Sequence, residues 1–140
     1  MAGGKSKIEF FGTSELLKKI EKAGGNVEQA CMDALKKSAE IPKKEMLDFI
    51  RTLPFDTKHG HHPTGQTEDS FVEEIKTENG KIYCEIGFSI RKGGIAALFL
   101  NLGTPKIKPS FFIDNAIYHN IDRIKADQLK ALNEAFRELL

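Results

Sequence analysis

The 140-residue chain has little cysteine, only Cys31 and Cys84, set far apart. Two isolated cysteines build no disulfide framework, and they read as reduced, partly buried core thiols. Long apolar runs are lacking as well: the longest, residues 95–100, is far too short to span a bilayer. The first twelve residues hold no continuous apolar core, so no secretory signal is visible. A charge excess is also missing, since 21 basic residues against 20 acidic ones leave a formal +1. That balance excludes a polycation built to coat nucleic acid. What is present is ordinary: 40% hydrophobic and 29% charged residues rule out a wholly disordered chain. A chain of this size buries enough apolar surface to fold without metal or disulfide staples. The expectation is one soluble, intracellular domain over residues 1–140, with a flexible stretch within 1–12 and a frayed, Gly- and Lys-rich start at 1–7.

Local signals divide the rest of the chain. Residues 8–11 are a short strand or an apolar anchor. Thr13-Ser14-Glu15 offers a helix N-cap, and Leu16, Leu17 and Ile20 share one face of a helix over 14–22, stopped by Gly24-Gly25. Asn26 caps the next helix, with Gln29 completing a box-like pair. Val27, Ala30, Cys31, Ala34, Leu35 and Ala39 form an apolar stripe while Lys36 and Lys37 face water. Met46, Leu47, Phe49, Ile50 and Leu53 carry the period onward, which predicts a long helix over 27–53, kinked or broken near Pro42 and closed by Pro54. Residues 55–66 are a loop. Runs 70–77 and 81–90, joined at Glu78-Asn79-Gly80, read as a β-hairpin, with Ile82, Cys84, Ile86 and Phe88 on its buried face. Arg91 to Gly94 is a turn, 95–102 is an apolar helix or strand, and 103–109 is a loop. A final helix is expected over 110–140, with Ile113, Ile117, Ile121, Ile124, Leu129, Leu132, Phe136 and Leu139 on one face. The fold class is therefore α+β: a small antiparallel sheet with a β-hairpin, packed by a long N-terminal helix and a C-terminal helix.

Candidate chemistry is sparse. His59, His61 and His62, with Asp56 or Asp69, have the donor types for zinc, which gives the alternative reading of a small metal-dependent enzyme. They crowd one Gly-Pro loop rather than separate elements, which favours a solvated loop. His119 reads as a surface residue. Nothing in sequence marks either cysteine as an activated nucleophile. Glu73 and Glu74 are adjacent on a strand and face opposite sides, so they do not converge on one ligand. Gly3-Gly4-Lys5-Ser6 ends like a phosphate-binding loop but lacks its upstream glycine and strand.

Charge distribution is more informative. Residues 62–80 carry five acids against Lys76, and residues 81–108 carry five bases against Glu85. Either adjacent strands pair these charges, or one subunit's acidic edge meets its neighbour's basic one in head-to-tail packing. Lys106 and Lys108 also suit a phosphate backbone. Ile107 and Phe111-Phe112, around a proline loop, read as anchors to a partner.

The order of segments carries a resemblance. A polar-faced long helix leads to a Pro-containing loop and then Thr64-Gly65-Gln66-Thr67-Glu68-Asp69-Ser70-Phe71. The hairpin follows, then Ile95-Ala96-Ala97-Leu98-Phe99-Leu100-Asn101-Leu102-Gly103-Thr104, then Lys106, Pro109-Ser110-Phe111-Phe112-Ile113 and a closing helix. From Val27 onward the chain resembles the tail-completion, or head–tail joining (neck), family of long-tailed bacteriophages and prophages. That family shows Thr-Gly-x-Leu-x-x-Ser before its sheet, then aromatic-Glu-x-Gly-Thr, then Pro and Phe opening the last helix. Here Thr67 replaces the leucine, Leu100-Asn101 the aromatic and glutamate, and Phe111-Phe112 after a lone Pro109 the Pro-Phe pair. The resemblance implies Thr64, Gly65, Ser70, Gly103, Thr104, Pro109 and Phe112 as a structural signature. Local physics agrees: Gly65 permits tight passage into the first strand, Gly103 a turn, Ser110 a cap, and Phe111 and Phe112 packing beneath the last helix. It further implies a non-enzymatic virion protein without cofactor, a ring that caps the tail tube and receives the head connector while DNA threads its lumen without sequence specificity. No membrane is involved; the protein would reside in the host cytoplasm before assembly and in the virion neck after it. Arg91, Lys92, Lys106 and Lys108 would then be lumen- or partner-facing cations.

Overall fold

The computed structural model describes residues 4–52 and 66–140. Its first two helices start where the capping residues stand. The Thr13 hydroxyl accepts the Leu16 N–H at 3.3 Å and opens α1 (Ser14–Lys22), which buries Leu16 and Ile20. The Asn26 side chain accepts the Gln29 N–H at 3.1 Å and opens α2 (Val27–Ser38). Gln29 does not return the bond; its Nε2 donates to Asp33 at 2.8 Å, so only half of the expected box forms. Ala30, Cys31, Ala34, Leu35 and Ala39 are buried and Lys36 and Lys37 exposed, as the stripe predicts. The helix expected over 27–53 is broken rather than kinked: α3 (Glu40–Arg51) begins after Ala39. Pro42 falls in its first turn, where a backbone N–H has no intrahelical partner to lose. Leu53 and Pro54 lie outside the described residues.

Three antiparallel strands form one sheet in the order β1-β3-β2, from β1 (Lys5–Glu9), β2 (Phe71–Glu78) and β3 (Lys81–Phe88). A single helical turn, α4 (Gln66–Asp69), precedes β2. The hairpin is the expected one: Asn79 and Gly80 have φ of 52° and 76°, and Glu78 faces Lys81. Cys84, Ile86 and Phe88 are buried on the core face. β1 corrects the expectation of a frayed start. Lys5 pairs with Gly87 and Glu9 with Tyr83, and Ile8, opposite Cys84, is 1% exposed. A strand whose ladder partner lies some 80 positions away leaves little local signal.

Beyond β3, a 3-10 turn (Ile90–Lys92) leads to α5 (Ile95–Leu102), so the open segment is a helix. The closing helix is two: α6 (Phe112–Tyr118) and α7 (Ile121–Glu138). Asn120 ends α6, its Nδ2 donating back to the Ala116 carbonyl at 2.7 Å. α6 packs on α3 and β1, whereas α7 packs on α1 and α2. Phe112 stacks on Phe49 with ring centroids 4.4 Å apart and lies against Phe88, tying α6 to α3 and the sheet. Along α7, Ile124 and Leu132 are buried as expected, but Leu129 is exposed and Gln128 takes the inside position. Gln128 Oε1 accepts the Phe11 N–H at 2.7 Å, and its Nε2 donates to the Glu9 carbonyl at 2.8 Å. Main-chain groups at the end of β1 need partners, and only a polar side chain supplies them. The architecture is α+β, with a three-stranded antiparallel sheet.

Candidate functional site

α5 is apolar at every position except Asn101, yet its polar residue is the one inside. Asn101 and Ala97 are fully buried, while Ile95, Phe99 and Leu102 stand 46%, 44% and 49% exposed. The spacing i, i+4, i+7 puts those three on one face. The start of α6 explains the inversion. Phe111 precedes α6 with φ of 53° and offers no side-chain cap. Asn101 Oδ1 accepts the Ile113 N–H at 3.0 Å instead, and the Asn101 carbonyl accepts the Phe111 N–H at 2.9 Å. Ser110 Oγ, expected to cap the helix, chiefly donates to the Leu100 carbonyl at 2.6 Å. α5 is therefore turned with its polar side to α6 and an apolar side to solvent.

The loop after α5 extends that surface. Gly103 turns the chain with φ of 80°, where a side chain would crowd the Ile107 carbonyl and the Pro109 ring at 2.8 Å. Thr104 Oγ1 accepts the N–H groups of Lys106 and Ile107 at 3.1 and 3.0 Å, leaving Lys106, Ile107 and Lys108 exposed. Phe111, expected beneath the last helix, is 47% exposed, and Phe112, expected as a partner anchor, is a core residue instead. Ser70 is fully buried, its Oγ donating to the Thr67 carbonyl at 2.6 Å and its carbonyl accepting the Ser89 N–H at 2.9 Å. Ser70 thus joins the start of β2 to the end of β3 just before α5. Of the signature residues, Ser70, Gly103, Thr104 and Phe112 are framework around α5, Pro109 is exposed at the loop's end, and Thr64 and Gly65 lie outside the described residues.

Residues 86–113 contain no acid. Their four cations, Arg91, Lys92, Lys106 and Lys108, are exposed, and among the described residues none forms an ion pair. The acidic segment behaves differently. Glu68 meets Arg51 at 2.6 Å, Glu78 meets Lys7 at 3.4 Å, and Lys76 bridges Glu85 and Glu74 at 2.9 and 3.5 Å. The Glu85 carboxylate, first by its hydrogen bond and then by its charge, holds the Lys76 ammonium above its ordinary value. The expected pairing of acids in 62–80 with bases in 81–108 does not form among the described residues. Glu68, Glu78 and Glu74 are met by Arg51, Lys7 and Lys76, and the β2–β3 pair is Lys76 with Glu85. Asp69 and Glu73 are left without an ion pair among the described residues.

Burial pushes the Cys84 thiol up to about 12, and burial followed by the Glu28 charge raises Cys31, so both are held as protonated thiols. His59, His61, His62 and Asp56 lie outside the described residues, within which no three His, Cys, Asp or Glu side chains cluster to hold a metal. His119 is exposed after α6. A groove of about 760 Å³ runs between the hairpin turn and β1, its charged lining of Lys7, Glu9, Glu78 and Lys81 already containing the Lys7–Glu78 pair. No helix among the described residues is long and apolar enough to cross a membrane. The surface residues that sequence reasoning passed over are Ile90, Ile95, Phe99 and Leu102; the available signal was an eight-residue helix too apolar to have one wet face by design of its pattern. No family model, curated protein or solved structure matches the chain significantly.

Proposed function

We propose that the chain is a structural, non-catalytic component of a long-tailed bacteriophage or prophage particle, acting at the neck where head and tail join. In this reading, copies form a ring that completes the tail tube and receives the head connector. DNA passes through the lumen without sequence readout. The observation that carries the reading is the exposed apolar face of α5 beside four cations that find no ion-pair partner among the described residues. Ser70, Gly103, Thr104 and Phe112, which match the family pattern in order, frame it. Exposed apolar surface of this kind marks contact with protein, and unpaired cations suit an acidic neighbour or a phosphate backbone. Function is then assembly geometry: the chain makes and breaks no covalent bond, and it passes from the host cytoplasm into the virion.

Disruption of the coding sequence in its own genome, followed by electron microscopy of the particles released, tests the reading. Filled heads and separate tails, rejoined when the chain is supplied from a plasmid, are the expected result. Normal yields of joined, infectious particles without the chain would overturn it.

A further inference from the structure

We infer that the apolar face of α5 docks on the β2 edge of a second copy of this chain, in a head-to-tail contact. The inference rests on the assembly reading and specifies which two surfaces meet. On one side are Ile95, Phe99 and Leu102, continued by Ile107 and Phe111, all between 39% and 49% exposed. Apolar area gathered this way, along one helix and its following loop, is costly in water and typical of contact surfaces.

The charges decide what covers it. A two-fold contact of α5 on α5 sets Arg91, Lys92, Lys106 and Lys108 of each copy against the same four cations, with no acid in residues 86–113 to relieve them. Like charges in an isologous interface oppose it. The fitting surface is apolar with unpaired acids, and the chain carries one. Among the described residues β2 is an edge strand, hydrogen-bonded to β3 alone. Phe71 and Ile75 are half-buried against the core on the face that also carries exposed Glu73, while half-buried Val72 and exposed Glu74 lie on the opposite face. Asp69 and Glu73 are the acids of this segment left without an ion pair among the described residues, and Glu74 has only an exposed contact with Lys76 at 3.5 Å. An open strand edge also exposes a row of backbone donors and acceptors that proteins otherwise blunt or cover. Joining two different surfaces of one chain gives a heterologous contact, the kind that closes into rings.

Sedimentation across a concentration series tests this with four samples: the unaltered chain, Phe99→Asp, Arg91→Glu with Lys92→Glu, and Asp69→Lys with Glu73→Lys. Because each changed side chain is exposed, the thermal melt serves as the folding control; Glu73→Lys alone replaces the last variant if that pair disturbs α4. The expected result is concentration-dependent association of the unaltered chain, weakened about tenfold or more by Phe99→Asp. Each charge-reversed variant is expected to stay monomeric alone and to associate when the two are mixed, since the reversed face then meets the reversed edge. A chain that stays monomeric to its solubility limit, association that survives Phe99→Asp, or a mixture that fails to recover overturns the docking. So does a monomer that binds vesicles of anionic lipid through Phe99, which would assign the face to a bilayer. Particle microscopy separates the two failures: joined particles that need the chain, together with a negative result here, remove only this contact.

Discussion

Asn101, buried in the last turn of α5, accepts the backbone N–H of Ile113 at 3.0 Å and so caps α6 from a neighbouring helix. The same residue turns α5, and with it the apolar face, because the helix must present its one polar side chain to the uncapped end of α6. Replacing Asn101 by Ala leaves a buried donor unpaired. The expected cost is about 1–2 kcal/mol, read as a melting temperature lower by about 3–8 °C. An unchanged melt would show that the cap is not limiting.

Gln128 holds three elements, with β1 at Glu9, the following segment at Phe11 and α2 at Ser38, where its Nε2 lies 3.3 Å from the serine oxygen. Gln128→Leu keeps the bulk and orphans these groups, for an expected loss of about 2–3 kcal/mol in denaturant unfolding. Faster hydrogen exchange at the Phe11 amide should accompany it, and retained protection there would contradict the assignment.

Gly87 lies where the start of β1 crosses β3. Its φ is 151°, and a Cβ there would collide with the Gly4 carbonyl and come within 2.6 Å of the Lys5 backbone. Gly87→Ala is expected to displace β1 while leaving the β2-β3 hairpin paired. Backbone NMR should show lost cross-strand contacts between Ser6 and Ile86 alongside kept contacts between Ile75 and Cys84.

Alkaline pH should weaken the fold through Cys84. In the unfolded chain a thiol titrates near about 8.5, whereas in the fold burial holds it up to about 12. Below the lower value both states keep the proton and pH has no effect through this group. Between the two values only the unfolded chain releases it, so stability falls as pH rises. Cys31, also raised, adds to the same trend. Thermal melts between these limits should decline more steeply for the natural chain than for Cys84→Val, and equal slopes would remove Cys84 as a cause.

Alanine at Arg91, Lys92, Lys106 and Lys108 together touches exposed side chains without ion pairs among the described residues. Stability is expected to stay within about 0.5 kcal/mol per site, while particle joining or infectivity drops. A fully infectious quadruple variant would separate these cations from the function.

Where interactions are local, the sequence alone was sufficient. Thr13 and Asn26 cap the helices that follow them, Asn79-Gly80 makes the hairpin turn, and the 30-31-34-35 stripe goes inside. Each depends on groups within a few residues, so each is legible in order. The α+β class follows from summing such signals. Four features were decided only by groups brought together in space. β1 exists because β3 supplies its hydrogen bonds. Only its end, residues 8–9, falls in the stretch read as a short strand or apolar anchor, and the Gly- and Lys-rich residues before it carry no strand pattern. Gln128 displaces Leu129 from the core because main-chain groups of Glu9 and Phe11, about 120 positions earlier, would otherwise be buried unpaired. The closing helix divides at Asn120 because its two halves pack on different partners. The wet face of α5 was the least visible of these. An all-apolar helix has no polar side to point outward, and only the demand of the uncapped α6 for Asn101 settles which apolar side meets water.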